Sequence, residues 1–253
     1  MLTRLPLVVI LALAVVADPG AAQPRDVLVS AAVSLTEALQ RIAPLYEAQS
    51  GEKVVLNLGA SNILARQIRG GARVDVFVSA DEAQMDLVAA DIVPGTRVEL
   101  LSNQLAIAVP DDRAGTIRSP RDLVDAAVRR VAIGDPAAVP AGVYAQRYLE
   151  RAGLWTQLQP KLAPSGSVRL ALAAVENGAA DAAIVYATDL TIARGAVAAF
   201  SIPLDEAPRI VYPAALLKAS RSAAEAKQWL AFLVGAQAAE IFRRHKFLPV
   251  TRR

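Results

Sequence analysis

Apolar runs of strand length alternate with segments of helical periodicity along most of the chain. The run at 27–31 places apolar residues at every second position and leads into a helical pattern at 35–42. The same step from strand to helix recurs at 53–69 and at 74–90. A βαβαβ order of this kind predicts parallel strands with helices on the faces of the sheet, which is an α/β fold.

The alternation continues through the second half of the chain and closes with two helices. Strand patterns lie at 105–109, 131–134, 181–186, 197–202 and 209–217, and helical patterns at 225–234 and 236–244. This order predicts a chain that leaves a first lobe near residue 105 and returns to it near residue 207. We therefore expect lobe I to comprise 23–105 and 207–253, lobe II to comprise 106–206, and a ligand cleft to lie at the hinge.

Short polar residues recur where a predicted strand ends and a helix begins. Ser34 stands three residues before Glu37, which is the spacing of a capping box, so we expect Ser34 to begin its helix. Ser61 occupies the same position after the second strand, and Asp81 and Ser167 are predicted N-caps. A helix N-terminus has free backbone N–H groups and the positive end of the helix dipole. Each such serine therefore either caps its helix or offers its hydroxyl to an anion.

Two further positions point to the same region of the fold. Pro140 presets the first turn of a helix, and the small residue Ala141 follows where backbone N–H groups are free. The strand pattern at 181–186 ends in the hydroxyl of Tyr186. Because ligands of open α/β sheets gather beyond the carboxyl ends of the strands, we expect four helix starts and this tyrosine to face one cleft.

Residues 1–22 have the pattern of a secretory signal peptide. Arg4 supplies a positive charge, 5–17 is apolar, and small residues at 20–22 suit a cleavage site. The apolar run is too short to span a bilayer comfortably. The chain contains no cysteine, which excludes disulfides and a lipid-modified cysteine at the cleavage site. We expect the mature protein to be exported to the periplasm and to be a monomer.

Composition argues against two classes of function. The net charge is only +3 and aromatic residues make up 5% of the chain, which is not the dense basic and aromatic face of a nucleic-acid binder. An enzyme is disfavoured because cysteine is absent and the single histidine, His245, lies in a basic helix end away from the predicted cleft. Asp75 and Asp81 are placed as turn or cap residues rather than as an acid/base pair.

Blocks of sequence that match a known family occur in the family's order along the whole mature chain. They include VSAAVSLTEAL at 29–39, GASNILARQI at 59–68, IGDPAAVPAGVYA at 133–145 and AAIVYATD at 182–189. Together they resemble the ModA family, the periplasmic molybdate-binding proteins of ABC importers. The resemblance implies a class II periplasmic-binding-protein fold, in which two α/β lobes close on molybdate or tungstate. It also implies delivery of that oxyanion to a membrane permease, and no cofactor.

The resemblance places the family's ligand contacts on Ser34, Ser61, Ala141, Val168 and Tyr186. It implies hydroxyl and backbone donors from the two serines, backbone N–H donors from Ala141 and Val168, and a phenol donor from Tyr186. Molybdate is fully ionised at neutral pH, so neutral donors backed by helix dipoles suit it. Molybdenum would enter only as the centre of this oxyanion, and selection against sulfate would depend on cavity size.

Two other interpretations stay open from the sequence alone. The same fold can serve as a receptor for sulfate, phosphate or a small organic anion, and a periplasmic enzyme can use a similar two-lobed scaffold. Arg66 and Arg169 lie close to the predicted helix starts. We expect both to be at the surface or paired with neighbouring groups rather than in direct contact with the anion.

Overall fold

The computed structural model describes residues 26–250, so the predicted signal peptide at 1–22 lies outside the described residues. Within this range the strands are Val27–Ala32 (β1), Val54–Gly59 (β2), Val76–Val78 (β3), Val98–Leu101 (β4), Leu105–Pro110 (β5), Val131–Gly134 (β6), Leu162–Ser165 (β7), Ala182–Tyr186 (β8), Ala196–Ser201 (β9) and Tyr212–Leu216 (β10). The helices are Thr36–Ser50 (α1), Ser61–Arg69 (α2), Glu82–Leu87 (α3), Pro140–Arg151 (α4), Trp155–Leu158 (α5), Val168–Glu176 (α6), Ala223–Val234 (α7) and Ala236–Arg244 (α8). No helix in this part of the chain is both long enough and apolar enough to cross a membrane.

The strands form two five-stranded sheets of similar design. The first has the order β2-β1-β3-β10-β4 and the second the order β7-β6-β8-β5-β9. In the first sheet β1 pairs in parallel with β2 and β3, whereas β10 pairs antiparallel with β3 and β4. In the second sheet β6 pairs in parallel with β7 and β8, whereas β5 pairs antiparallel with β8 and β9. The α/β class predicted from the sequence is confirmed, with antiparallel strands that the βαβαβ pattern does not predict.

The chain passes between the two sheets twice. It leaves the first sheet between β4 and β5 and returns between β9 and β10. The predicted lobe limits near 105 and 207 fall at the start of β5 and within the second connection. The division into lobes at those residues stays a prediction.

Helices cover both faces of the first sheet. Successive side chains of a strand point to opposite faces, so a single strand contributes to an apolar cluster on each side. Val76 and Val78 of β3 belong to the main core, which also contains Leu39 of α1 and continues through the second sheet. Phe77, between them, belongs to a smaller apolar cluster with Met85 of α3. In the first sheet the parallel strands β1 and β2 end at Ala32 and Gly59, close to the starts of the helices that follow them.

The capping box predicted at Ser34 and Glu37 is not formed. Ser34 lies in a 3₁₀ turn, Val33–Leu35, and α1 begins only at Thr36, where no side chain caps it. Both side chains of the predicted box have distant partners instead: the Ser34 hydroxyl bonds to Tyr212, and the Glu37 carboxylate bonds to Arg169. Tertiary contacts have overridden the local motif.

The other predicted helix starts agree with the structure more closely. Asp81 caps α3, where its Oδ1 accepts a hydrogen bond of 2.9 Å from the backbone N–H of Gln84. Ser167 caps α6 in the same way, with a bond of 3.2 Å from Leu170 N–H to its Oγ. Ser61 is the first residue of α2 rather than its N-cap, which leaves its hydroxyl free for another role.

Candidate ligand-binding site

One small cavity lies between the two sheets, where the turn before α1 and the first turns of α2, α4 and α6 face each other. All five predicted contact residues line it: Ser34, Ser61, Ala141, Val168 and Tyr186. The volume open to the centre of a water-sized sphere is about 20 Å³. By the same measure one water needs roughly 10–15 Å³, so the cavity suits a single small ion rather than a sugar or an organic anion.

Within residues 26–250, no charged residue lines this cavity. Its polarity comes from hydroxyl groups and from helix N-termini, whose first backbone N–H groups have no partner within their own helix. Several helix dipoles directed at one point also favour negative charge there. A lining of this kind can hold an anion by neutral donors.

Ser61 shows how a hydroxyl is prepared for such a role. The side chain is 1% exposed, and its Oγ accepts a hydrogen bond of 3.0 Å from the backbone N–H of Ala80. A serine hydroxyl has one proton to donate and two lone pairs that accept. Because the protein uses a lone pair, the proton of Ser61 is available to a ligand in the cavity.

The start of α4 is held against the end of β6 by a close approach of two glycines. A Cβ added at Gly142 would lie 1.9 Å from the carbonyl oxygen of Gly134, so only glycine allows this packing. Pro140 forms the first helical position and Ala141 the second. The glycine contact fixes where the free N–H groups of this helix end point, and α4 therefore reaches the cavity edge at Ala141.

Val168 is the first residue of α6 and follows the Ser167 cap directly. Its side chain is 4% exposed and it lines the cavity with Ser167. Since Ser167 Oγ is engaged by the N–H of Leu170, the backbone N–H groups nearest the helix start stay free of that cap. This arrangement is what a backbone donor at Val168 requires.

Tyr186 ends β8, is buried and lines the cavity. No hydrogen-bond partner for the Tyr186 hydroxyl exists among residues 26–250. Complete burial raises the pKa of Tyr186 well above its ordinary value, so the phenol keeps its proton and remains a donor. A buried donor left unpaired costs about 1–3 kcal/mol, which makes this hydroxyl a strong indication of a ligand position.

A buried ionic group stands behind Tyr186 without entering the cavity. Asp189 is fully buried and its Oδ2 accepts a hydrogen bond of 3.1 Å from the backbone N–H of Tyr186. Arg169 Nε lies 2.7 Å from Asp189 Oδ1, an ion pair without the alignment of a hydrogen bond. The other guanidinium nitrogens of Arg169 bond to Glu37 of α1 at 3.0 and 2.7 Å. Arg169 therefore joins a helix of the first sheet to the segment that holds Tyr186.

The charges of this group change the acidity of its members. Complete burial raises the pKa of Asp189 to about 6, against the opposing charge of Arg169. Burial also acts to raise the pKa of Glu37, but the hydrogen bonds and charge of Arg169 hold it below its ordinary value. Arg169 is thus fully engaged by two carboxylates, as the sequence predicts for a paired arginine, and Arg66 is exposed on α2.

Two residues that sequence reasoning did not select, Tyr212 and Asn103, support Ser34. Tyr212 of β10 lies with its hydroxyl 3.0 Å from Ser34 Oγ. Asn103 donates to the Tyr212 hydroxyl at 3.1 Å and to Thr188 Oγ1 at 2.9 Å. The sequence contains a signal for burial at Tyr212, inside the apolar strand pattern at 209–217, but none for its partner.

Comparison with known proteins supports the interpretation of the fold and the family. The family model described as bacterial extracellular solute-binding protein matches residues 27–248. The molybdate-binding protein ModA of Escherichia coli is 39% identical over 240 residues, which cover 92% of each chain. The protein of the same name from Haemophilus influenzae is 33% identical over 219 residues, 82% of this chain and 84% of that one.

A solved structure shows the same fold. The periplasmic molybdate-binding protein of Azotobacter vinelandii superimposes with a TM-score of 0.79, over 89% of this chain and 100% of that chain, at 24% sequence identity. The two-lobed periplasmic-binding-protein fold expected from the sequence is confirmed.

Proposed function

Since this chain belongs to the family of bacterial extracellular solute-binding proteins, with relatives named molybdate-binding protein ModA, we propose that it captures molybdate and delivers it to an ABC importer. Tungstate, which has the same charge and shape, would use the same contacts. The observation that carries the proposal is the meeting of Ser34, Ser61, Ala141, Val168 and the unpaired Tyr186 hydroxyl at one uncharged cavity.

The donor set explains why a fully ionised oxyanion is the preferred ligand. Ser61 and Tyr186 present protons, and the helix starts at Ala141 and Val168 present backbone N–H groups. A hydrogen phosphate carries a proton that needs an acceptor, and at the backbone N–H groups of the helix starts that proton would meet a donor instead. Charge-assisted hydrogen bonds contribute roughly 1.5–3 kcal/mol each, so a few neutral donors hold a dianion without lysine or arginine.

The size of the cavity restricts the ligand further. A space of about 20 Å³ for the centre of a water-sized sphere accommodates a tetrahedral ion and leaves no room for a phosphorylated sugar. Sulfate has the charge and shape of molybdate but is smaller, so discrimination would rest on how well the donors reach the ion. Backbone N–H groups fixed by packing, as at Gly134 and Gly142, suit that task because they cannot move in to meet a smaller ion.

Isothermal titration calorimetry with a panel of oxyanions tests the proposal directly. The mature chain should bind molybdate and tungstate tightly, sulfate far more weakly and phosphate not at all. At a molybdate concentration of about 100 times the dissociation constant, the native state should gain ~2.7 kcal/mol and the melting temperature should rise. Tighter binding of sulfate than of molybdate would assign the cavity to another oxyanion, and no response to any ion would remove the assignment.

The cellular setting completes the proposal: a mature monomer in the periplasm, released by cleavage after residue 22, that docks on a membrane permease. The extracellular description of the matched family supports this location. Cell fractionation followed by mass spectrometry of the exported protein should find a chain that begins near Gln23. A protein retained in the cytoplasm with residues 1–22 intact would contradict the location.

A further inference from the structure

We propose that Tyr212 and Asn103 are positioning residues, which set the direction of the Ser34 hydroxyl so that its proton is donated into the cavity. The inference rests on the proposed function, because it concerns how one of the donors meets the oxyanion. Neither residue lines the cavity, so both act through Ser34.

The amide of Asn103 has only one orientation that fits its neighbours. Asn103 is 2% exposed and lies in the first connection between the sheets, between β4 and β5. Its Oδ1 accepts a hydrogen bond of 2.8 Å from the backbone N–H of Gln104. A backbone N–H can only donate, so the carbonyl side of the amide is fixed there. The NH₂ group therefore faces Tyr212 and Thr188, and Asn103 donates to both hydroxyls.

The direction of the hydrogen bond between Tyr212 and Ser34 follows from that of the bond between Asn103 and Tyr212. Tyr212 is fully buried, and burial raises its pKa, so the phenol is protonated. Its oxygen accepts from Asn103, and its single proton needs an acceptor. Among the described residues the other hydrogen-bond partner of this oxygen is Ser34 Oγ, at 3.0 Å. If Ser34 donated to Tyr212 instead, the phenol proton would be buried without an acceptor, at a cost of about 1–3 kcal/mol.

The consequence for Ser34 is a fixed donor. Its Oγ accepts from Tyr212, and its one proton is left for the cavity that the residue lines. Ser61 reaches the same state more simply, since its Oγ accepts from the backbone N–H of Ala80. On both serines the protein occupies a lone pair and leaves the proton to the ion. The relay from Asn103 through Tyr212 thus does for Ser34 what a backbone amide does for Ser61.

A double-mutant cycle between Tyr212 and Ser34, measured as molybdate affinity by calorimetry, tests this relay. Tyr212→Phe alone should weaken binding about 10-fold, because Ser34 loses the partner that directs its proton. In the Ser34→Ala background the same change should alter affinity by less than about twofold, since no hydroxyl is left to direct. Equal losses in both backgrounds would show that Tyr212 acts by packing alone and would overturn the relay.

Asn103→Asp provides a second variant that keeps the hydrogen-bond network satisfied. A carboxylate at this position accepts from Gln104 N–H, Tyr212 and Thr188, so the Tyr212 proton would turn away from Ser34. The Ser34 proton would then point to Tyr212, and affinity should fall by more in the Ser34 protein than in the Ser34→Ala background. An equal fall in the two backgrounds would be the effect of the new charge alone and would contradict the relay.

Controls separate this inference from the proposed function. Tyr46→Phe removes another buried tyrosine hydroxyl, which bonds to Glu52 outside the cavity, and should leave affinity unchanged. If the unsubstituted protein binds molybdate and the cycles are additive, the relay is wrong and the proposed function stands. If the unsubstituted protein binds no molybdate, the proposed function fails and the relay, which has no ion to serve, fails with it.

Discussion

Ser34 and Tyr186 line the same cavity from opposite sheets, but their hydroxyls are supported in opposite ways. Ser34 Oγ is fixed by a neutral chain of hydrogen bonds through Tyr212 and Asn103. The Tyr186 hydroxyl has no partner among residues 26–250, and only its backbone is fixed, by Asp189. The protein therefore holds the Ser34 hydroxyl in place, whereas it leaves the direction of the Tyr186 hydroxyl unset.

Arg169→Ala should break the charged support behind Tyr186 with the largest effect on stability. The change leaves Asp189 fully buried without its cation, and loss of one partner of a buried ion pair typically costs about 3–5 kcal/mol. Molybdate affinity should change less than in Tyr186→Phe, because Arg169 does not line the cavity. Chemical denaturation and calorimetry measure the two effects. Loss of binding without loss of stability would mean that Arg169 contacts the anion.

The pH dependence of this destabilisation sharpens the same test. Burial raises the pKa of Asp189 to about 6 in the folded protein, whereas an unfolded aspartate has a pKa of about 3.9. Between these values the folded state holds a proton that the unfolded state has released, so this group's contribution to stability falls as pH rises through about 4 to 6. Without Arg169 the folded pKa rises further. Arg169→Ala should therefore destabilise more at pH 8 than at pH 5, and adding Asp189→Asn should remove that difference.

Ser34→Ala and Tyr186→Phe should weaken molybdate binding alike but differ in stability. Each removes one charge-assisted bond, worth roughly 1.5–3 kcal/mol or about 10- to 150-fold in affinity. In the absence of ligand, Ser34→Ala should cost about 1–3 kcal/mol because the buried Tyr212 proton loses its acceptor. Tyr186→Phe removes a hydroxyl that has no partner, so the ligand-free protein should be at least as stable as before. Equal stability of the two variants would contradict the comparison.

Gly142→Ala should disturb the backbone donors at the start of α4, with a smaller effect than the preceding substitutions. The added Cβ would collide with the carbonyl oxygen of Gly134, and overpacking of this kind typically costs about 1–3 kcal/mol. The start of α4 would move, so affinity should fall as well. Gly166→Ala is a matched control before α6, because its Cβ would meet only Leu170 Cδ1 at an ordinary 3.6 Å. Similar melting curves and affinities for the two variants would show that α4 has room to shift.

The features that the sequence predicts correctly are those set by local pattern. Asp81 and Ser167 cap the helices expected, and Pro140 begins α4, because each depends on residues within a turn of itself. The capping box at Ser34 and Glu37 is wrong for the opposite reason. The Glu37 carboxylate is engaged by Arg169, which is 132 residues away along the chain. A local motif contains no information about such a competitor.

In the candidate site, too, the contacts between residues distant in sequence are the ones that could not be predicted. The five contact positions, which the family resemblance places on this chain, meet at one cavity, since strand ends and helix starts converge in this kind of sheet. The residues behind them, Tyr212, Asn103 and Asp189, could not be selected. Alternation of apolar positions predicts that Tyr212 is buried, but the partner of its hydroxyl depends on the register between distant strands. The roles of the five positions in binding stay predictions.

The position of β10 in the first sheet also bears on when a newly made chain becomes able to bind. This strand lies between β3 and β4, although the whole second sheet separates it from them along the chain. The first sheet therefore stays in two parts until almost the entire polypeptide has been synthesised, and contacts this distant in sequence form slowly. Tyr212 arrives with β10, so the support of Ser34 is among the last contacts made. A fragment that lacks β10 also lacks the hydroxyl that supports Ser34, so the donors of the cavity are complete only when the whole of the first sheet has formed.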